Sequence, residues 1–423
     1  MTRTFPPSGR ANRGGAVASR AMTALSELDL PVLDYTDPTL RGPGFHPRMA
    51  ELAEQGWLAA TPLGAIVLDR EAAELFLRSR STTFPGRKLA EIFGIETGPL
   101  AEELRRNILC IDGDDHRRLR NLVNPAFTPR AADRWRPAMR IYLQQLWDAV
   151  ADDGHCEFVE AFAKPYPSLV IATLMGAPLD DAPRLHHWSN WIQKQFDAEA
   201  LMTQRALIEQ AVVEFYAYAD DLLAARRDDP GEDLVSALLA AEADGDRLSD
   251  VECVNLVLNV LIGGVDTTQS QLAHAIRLLA EHPDQWAALR ADPALAAGAV
   301  EEALRFEPIT PFTARIVLED MEVRGVSFPE GTVVFVASIS ANRDGVVDPE
   351  RFDITRTEGA RLTTFGAGIH YCLGANLARA ELQEALTFLS AHIDRLELDG
   401  EPAYGGVTGI YGLDALPIRF TAA

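Results

Sequence analysis

The sequence predicts a mainly α-helical protein with a small β portion. Apolar residues recur with helical period through 131–152, 198–227, 250–281, 294–306 and 373–391. Strand-like runs are confined to 56–69, two short strands around a turn at 62–64, and to 317–340, broken at Gly325 and at 329–331. The chain has 423 residues, 47% of them hydrophobic and 24% charged, enough to bury a large core. No repeat and no low-complexity linker divides residues 23–423, so they are expected to form a single domain.

Taken in order, residues 1–22 contain four arginines, no acidic residue and no apolar core of the kind a secretory signal needs. They are expected to be a disordered N-terminal extension, with either Met1 or Met22 as the start. The 250–281 helix opens with Ser249 and Glu252 in the S-x-x-E capping pattern and is stopped by His282 and Pro283. Along it Asn255, Asn259, Gly263, Asp266 or Thr267, and Ser270 recur every three or four residues. A polar, small-residue stripe on an otherwise apolar helix predicts a cavity along one face. Its longest apolar stretch, 254–265, is interrupted by Asn255 and Asn259, so no membrane-spanning helix is expected.

Charge and cysteine usage narrow the function. Lys and Arg total 39 against 62 Asp and Glu, a net charge of −23, which argues against a general binder of nucleic acid or acidic membrane. Cys110, Cys156, Cys253 and Cys372 are widely spaced, without a C-x-x-C pair or clustered histidines. Neither a zinc module nor a disulfide framework is indicated, and a cytoplasmic location fits.

The chemistry concentrates around Cys372. In FGAGIHYCLG, 365–374, glycines let backbone N–H groups approach the sulfur, and the following helix N-terminus favours a thiolate. Glu302 and Arg305 lie three apart on one helix. His116 and Arg120 lie four apart, so both can reach one acidic group. GGVDTT, 263–268, sits mid-helix, where glycine costs about 1 kcal/mol relative to alanine. Either close helix packing or a local opening that admits a small ligand would account for it.

Position by position, the cysteine loop resembles the F-G-x-G-x-H-x-C-x-G haem-ligand loop of the cytochrome P450 family, including Phe365 and Gly366. The other landmarks occur in the family's order, which extends the resemblance over most of the chain. It implies the cytochrome P450 fold, with haem b on the axial thiolate of Cys372. It further implies a structural network of Glu302 and Arg305 with Arg351 of PERFD. His116, Arg120, Arg315 and His370 would hold the haem propionates. In the G-G-x-D-T-T string, Thr267 would assist oxygen activation and Asp266 relay protons.

By the same resemblance the protein is a monooxygenase, an oxidoreductase that inserts one atom of O2 into a lipophilic small molecule. Electrons would come from NAD(P)H through a separate ferredoxin or flavodoxin and its reductase. Arg117, Arg118 and Arg379 are candidate docking residues for that carrier, although ordinary surface arginines would look the same. Pocket walls would come from 84–107, from Asn259, Ile262 and Gly263, from Ile309 to Phe312, and from a loop containing Ile410. Two other readings stay open at this point: a peroxide-driven haem-thiolate peroxygenase and a non-catalytic haem-thiolate sensor.

Overall fold

The computed structural model describes residues 23–423 except 36, 244–245 and 358–360, so the extension expected at 1–22 lies outside the described residues. The helices that build the site are α1 (Phe45–Gln55), α2 (Pro99–Arg106), α3 (Gly113–Val123), α4 (Pro165–Met175), α5 (Ala182–Gln193), α6 (Arg205–Asp228), α7 (Asp250–Gly264), α8 (Asp266–Glu281), α9 (Ala296–Phe306) and α10 (Ala375–His392). Besides the 250–281 helix described below, two expected helices are each broken in two. The 198–227 helix is Ala198–Thr203 followed by α6, and the 131–152 helix is Pro129–Asp133 followed by Arg136–Asp148.

The β portion is dominated by one sheet of β1 (Leu58–Thr61), β2 (Gly64–Val67), β3 (Thr82–Thr83), β4 (Phe312–Val317) and β5 (Val333–Ala337). Its strand order is β1-β2-β5-β4-β3. β1 and β2 form the hairpin expected at 56–69, β5 runs parallel to β2, and β4 lies antiparallel to β5 with Val334 opposite Arg315. In the 317–340 run, Met321–Val323 turns into Val326–Phe328 at Arg324 and Gly325, both at positive φ (54° and 81°). That run ends early, because Ser338–Ala341 is helical.

The long helix anticipated at 250–281 is capped as expected. Glu252 N donates to Ser249 Oγ, and Ser249 N donates to a Glu252 carboxylate oxygen at 2.8 Å. By length and composition alone, Asp250–Glu281 is apolar enough to cross a bilayer. However, 67% of its most apolar window is buried inside the protein, as befits a core helix packed on α4, α5 and α6. It is interrupted at Val265 (φ −89°, ψ −72°), which separates α7 from α8.

The two glycines before that break have different physical reasons. A Cβ on Gly264 would lie 2.4 Å from Ile171 Cδ1 of α4, whereas a Cβ on Gly263 would have nothing within 4 Å. Close packing explains Gly264, and open space explains Gly263. Gly264→Ala is therefore expected to cost about 1–3 kcal/mol by overpacking. Denaturant titration should show that loss, partial recovery on adding Ile171→Val, and no loss for Gly263→Ala.

Glu381 of α10 is fully enclosed, and neither of its carboxylate oxygens has a hydrogen-bond partner among the described residues. Burial pushes its pKa well above the carboxylate range, so the folded protein keeps a proton that the unfolded chain loses. The folded state then binds more protons than the unfolded state, and stability falls with rising pH by about 1.4 kcal/mol per unit in that window. Glu381→Gln removes this slope. Its stability relative to the parent should grow between pH 5 and 8 in urea titrations, and parallel curves would refute the assignment.

Candidate functional site

The cysteine loop is shaped by its glycines. Gly366 and Gly368 adopt φ of 67° and 74°, and a Cβ on Gly368 would lie 2.7 Å from the Leu77 carbonyl oxygen. The loop closes by Cys372 N–H donating to Phe365 O at 3.0 Å and Gly366 N–H to Thr363 O at 2.7 Å. Burial pushes the Cys372 thiol up, while amides of Gly374 and Ala375 at the start of α10, together with Arg120 and Arg379, pull it down. These are the backbone donors that the sequence pattern anticipates for a thiolate.

Four nitrogen-bearing side chains gather near this loop. Arg120 of α3 donates to Tyr371 O at 2.8 Å, one residue from Cys372. Arg315 of β4 is 3% exposed, yet its only side-chain hydrogen bond among the described residues is to Ala314 O. Burial pulls its guanidinium down to about 10. The rings of His116 and His370 lie 4.6 Å apart, and burial pulls His116 down to about 4. His370 Nε2 lies 3.0 Å from Asp112 Oδ1, whose other oxygen accepts from Thr83, while His370 Nδ1 is buried without a partner among the described residues. Sequence reasoning missed Asp112, though it stands at the N-cap of the helix that carries His116.

Among the described residues, neither Arg120 nor Arg315 has a carboxylate in ion-pair contact. Two desolvated guanidiniums without carboxylate partners form a donor set short of acceptors, which fits a ligand with two carboxylates. With the ionisable sulfur of Cys372, this donor set fits haem.

Across the α7–α8 break, Thr267 Oγ1 donates to Gly263 O at 2.6 Å, a back-bond to the carbonyl four residues earlier. Asp266 is 4% exposed and turns toward α5, accepting from Ser189 Oγ at 2.5 Å and from Asn190 Nδ2 at 3.4 Å. Burial raises its pKa, with Ser189 the largest opposing influence. No sequence signal pointed to Ser189, which lies on a separate helix. Ile262 and Ile309 are buried, and Ile410 is half-buried. Asn259 Nδ2 donates to the Asn255 backbone carbonyl at 2.7 Å, while its Oδ1 is buried without a partner among the described residues.

Two expected residues are displaced. Glu302 and Arg305 form a bidentate pair at 2.7 and 2.8 Å, 3% exposed each, but the third member of the network is Arg356, whose Nε lies 3.2 Å from Glu302 Oε2. Arg351 contributes only its carbonyl oxygen to Arg305, and its side chain is 65% exposed. Phe352 next to it is 2% exposed, and anchoring that ring inward sends its neighbour outward. Phe312 is the other correction. It stands on β4 at odd spacing from Arg315, hence on the opposite face, and packs edge-on against Tyr35 and Phe45. Thr313 shares the Arg315 face instead.

Of the arginines considered for docking, Arg117 is 70% exposed and paired with Asp114 at 2.8 Å. Arg118 pairs with Glu252 across to α7. Arg379 is held by Glu301 and lies 4.5 Å over the Phe365 ring, which ties it to the cysteine loop.

The family model described as Cytochrome P450 matches residues 65–392. Luteothin monooxygenase of Streptomyces thioluteus is 39% identical over 412 residues, covering 96% of this chain and 100% of that protein. Cytochrome P450 107B1 of Saccharopolyspora erythraea is 38% identical over 323 residues, 75% of this chain and 78% of that one. Among solved structures, CalO2 superposes with a TM-score of 0.86 at 32% identity, covering 93% of this chain and 99% of that one. P450BioI in complex with an acyl carrier protein gives 0.83 at 30% identity, covering 90% and 99%.

Haem retention should separate the two arginines. Removing one member of a buried ion pair costs about 3–5 kcal/mol. Glu302→Ala and Arg356→Ala are expected to purify with little or no haem by Soret absorbance, and Arg351→Ala with a full complement.

Proposed function

The chain belongs to the cytochrome P450 family, and from that premise we propose that it hydroxylates or epoxidises a lipophilic small molecule, with electrons from a separate ferredoxin or flavodoxin system. As a member it is an oxidoreductase that takes haem, O2 as co-substrate and NAD(P)H through redox partners. One observation carries the site assignment: a cysteine sulfur supplied with backbone donors beside buried guanidiniums that lack counter-ions among the described residues. Cys372 would be the axial ligand, with Arg120, Arg315, His116 and His370 binding the propionates. Thiolate ligation pushes electron density onto the iron and favours O–O cleavage.

The residues of this chain supply the protons and the enclosure. Asp266, raised by burial and held by neutral donors, carries a proton more readily than an ordinary carboxylate. Swinging from Ser189 Oγ toward Thr267 would let it hand that proton to the Thr267 hydroxyl. Ile262 and Ile309, both buried, would supply apolar lining to the pocket. Presence of both the acid and the alcohol favours O2 over peroxide as oxidant.

The full-length match makes luteothin, the compound in that relative's name, the first substrate to try. Thr267→Ala should consume NAD(P)H with product yield falling and peroxide released, while Asp266→Asn should slow turnover by roughly tenfold or more, within the range of general acid catalysis. Tight coupling in the first variant would remove Thr267 from this role.

A further inference from the structure

A second buried charged cluster shares no residue with the cysteine loop or its donor set. Glu307, at the C-cap of α9, is 3% exposed and accepts from Arg277 Nη2 at 2.8 Å and His46 Nε2 at 2.9 Å. His46 Nδ1 accepts in turn from Arg343 at 2.6 Å. Arg277 Nη1 reaches Glu281 at 2.7 Å, and its Nε donates to His274 Nδ1 at 3.4 Å. His274, fully buried, has its Nε2 3.2 Å from the Tyr411 carbonyl oxygen.

A carbonyl only accepts, so Nε2 carries the proton, and Nδ1 is left to accept from Arg277. The bond directions thus select one neutral tautomer. Burial, aided by Arg277 and opposed by Glu307, pulls His274 down to about 4, in keeping with that tautomer. An apolar side chain would fill the space without this desolvation cost, so the polar chain from Glu307 to Tyr411 calls for an account beyond packing.

Its end point is the loop that carries Ile410. Tyr411 N–H donates to Ile309 O at 2.7 Å, and its hydroxyl accepts from Gly42 N–H at 3.0 Å. A Cβ on Gly412 would lie 2.6 Å from Ser270 Oγ, so the loop presses on α8 three residues beyond Thr267. At the other end Thr408 Oγ1 donates to Asp197 at 3.3 Å. The segment 408–412 is therefore stretched between α8, Ile309 and the chain that follows α5.

We propose that His274 is a positioning residue: through the Tyr411 carbonyl it holds the 408–412 loop, and Ile410 with it, and so sets which ligands fit beside Thr267. The proposal rests on the haem-thiolate reading of the site. Arg277 and Glu307 fix His274, and His274 fixes the loop.

The test compares His274→Phe, which keeps volume but loses both hydrogen bonds, with His274→Gln, whose amide can donate to the Tyr411 carbonyl and accept from Arg277. Both are purified as full-length holoprotein. Hydrogen exchange of the 405–415 region is followed by mass spectrometry, and imidazole and 4-phenylimidazole are titrated by the Soret shift. Loss of one buried hydrogen bond predicts roughly tenfold faster exchange in the phenylalanine variant. It also predicts weaker 4-phenylimidazole binding with imidazole binding unchanged, and glutamine restores both.

If His274→Phe does not fold, His274→Asn, too short to reach the carbonyl, carries the same expectation. A lower unfolding midpoint with unchanged exchange and an unchanged ratio of the two azole affinities would overturn the proposal and leave a packing role. A parent protein without a Soret band would overturn the haem reading instead, and the exchange comparison would still decide whether His274 holds the loop.

Discussion

A sulfur that must be both buried and ionisable is the constraint on which the rest of this structure depends. Burial pushes the Cys372 thiol up, and the opposing influences come from the N-terminal amides of α10 and from Arg120 and Arg379. Those amides can point at the sulfur only if the preceding loop takes left-handed turns at Gly366 and Gly368, the second pressed against the Leu77 carbonyl. The loop must in turn be held against α9, where Thr364 Oγ1 donates to Leu304 O at 2.7 Å. Glu302 and Arg305 clamp the same helix to the turn at 349–353. One electrostatic demand at a single atom thus runs through the cysteine loop, α10, α9 and the turn at 349–353.

The opposite wall meets a different demand, since a long core helix has to expose a polar face at one level without unravelling. Gly264 lets α7 press on Ile171, and Gly263, four residues before Thr267, leaves its carbonyl free to take the threonine hydroxyl. The break at Val265 then turns Asp266 toward α5. Packing and opening are served by adjacent glycines, so either motive alone would misread the pair.

Legibility in the sequence follows the range of the interactions. Local patterns such as the Ser249 and Glu252 cap, the 58–67 hairpin and the turn at Gly325 were readable because each depends on residues a few positions apart. The Cys372 loop was readable because its glycines and cysteine lie within ten residues. Long-range pairing was not. Arg351 and Arg356 both stand near the end of the Glu302 network, and only the inward anchoring of Phe352 decides which guanidinium turns inward. Phe312 was misplaced by treating a strand as a continuous wall, when alternation from Arg315 assigns that face to Thr313. Ser189 and His274 gave no signal at all, since each acts through a partner from a different part of the fold.

Comparison of the buried acids shows how proton chemistry is confined. Glu307 has Arg277 and His46 against it and is held down to about 2, so it stays ionised and serves as a fixed anchor. Glu103 and Asp266 receive only neutral donors, from Asn107, Asn255 and Tyr216 in one case and from Ser189 and Asn190 in the other, and both are raised by burial. Hydrogen bonds from amides and hydroxyls orient a carboxylate without cancelling the cost of its charge, whereas a guanidinium does both. A carboxyl group that must gain and lose a proton therefore has to be built away from arginine. Of the acids raised in this way, Asp266 is the one adjacent in sequence to Thr267, so the proposed proton transfer is assigned to the α7–α8 break, while Glu307 belongs to the scaffold.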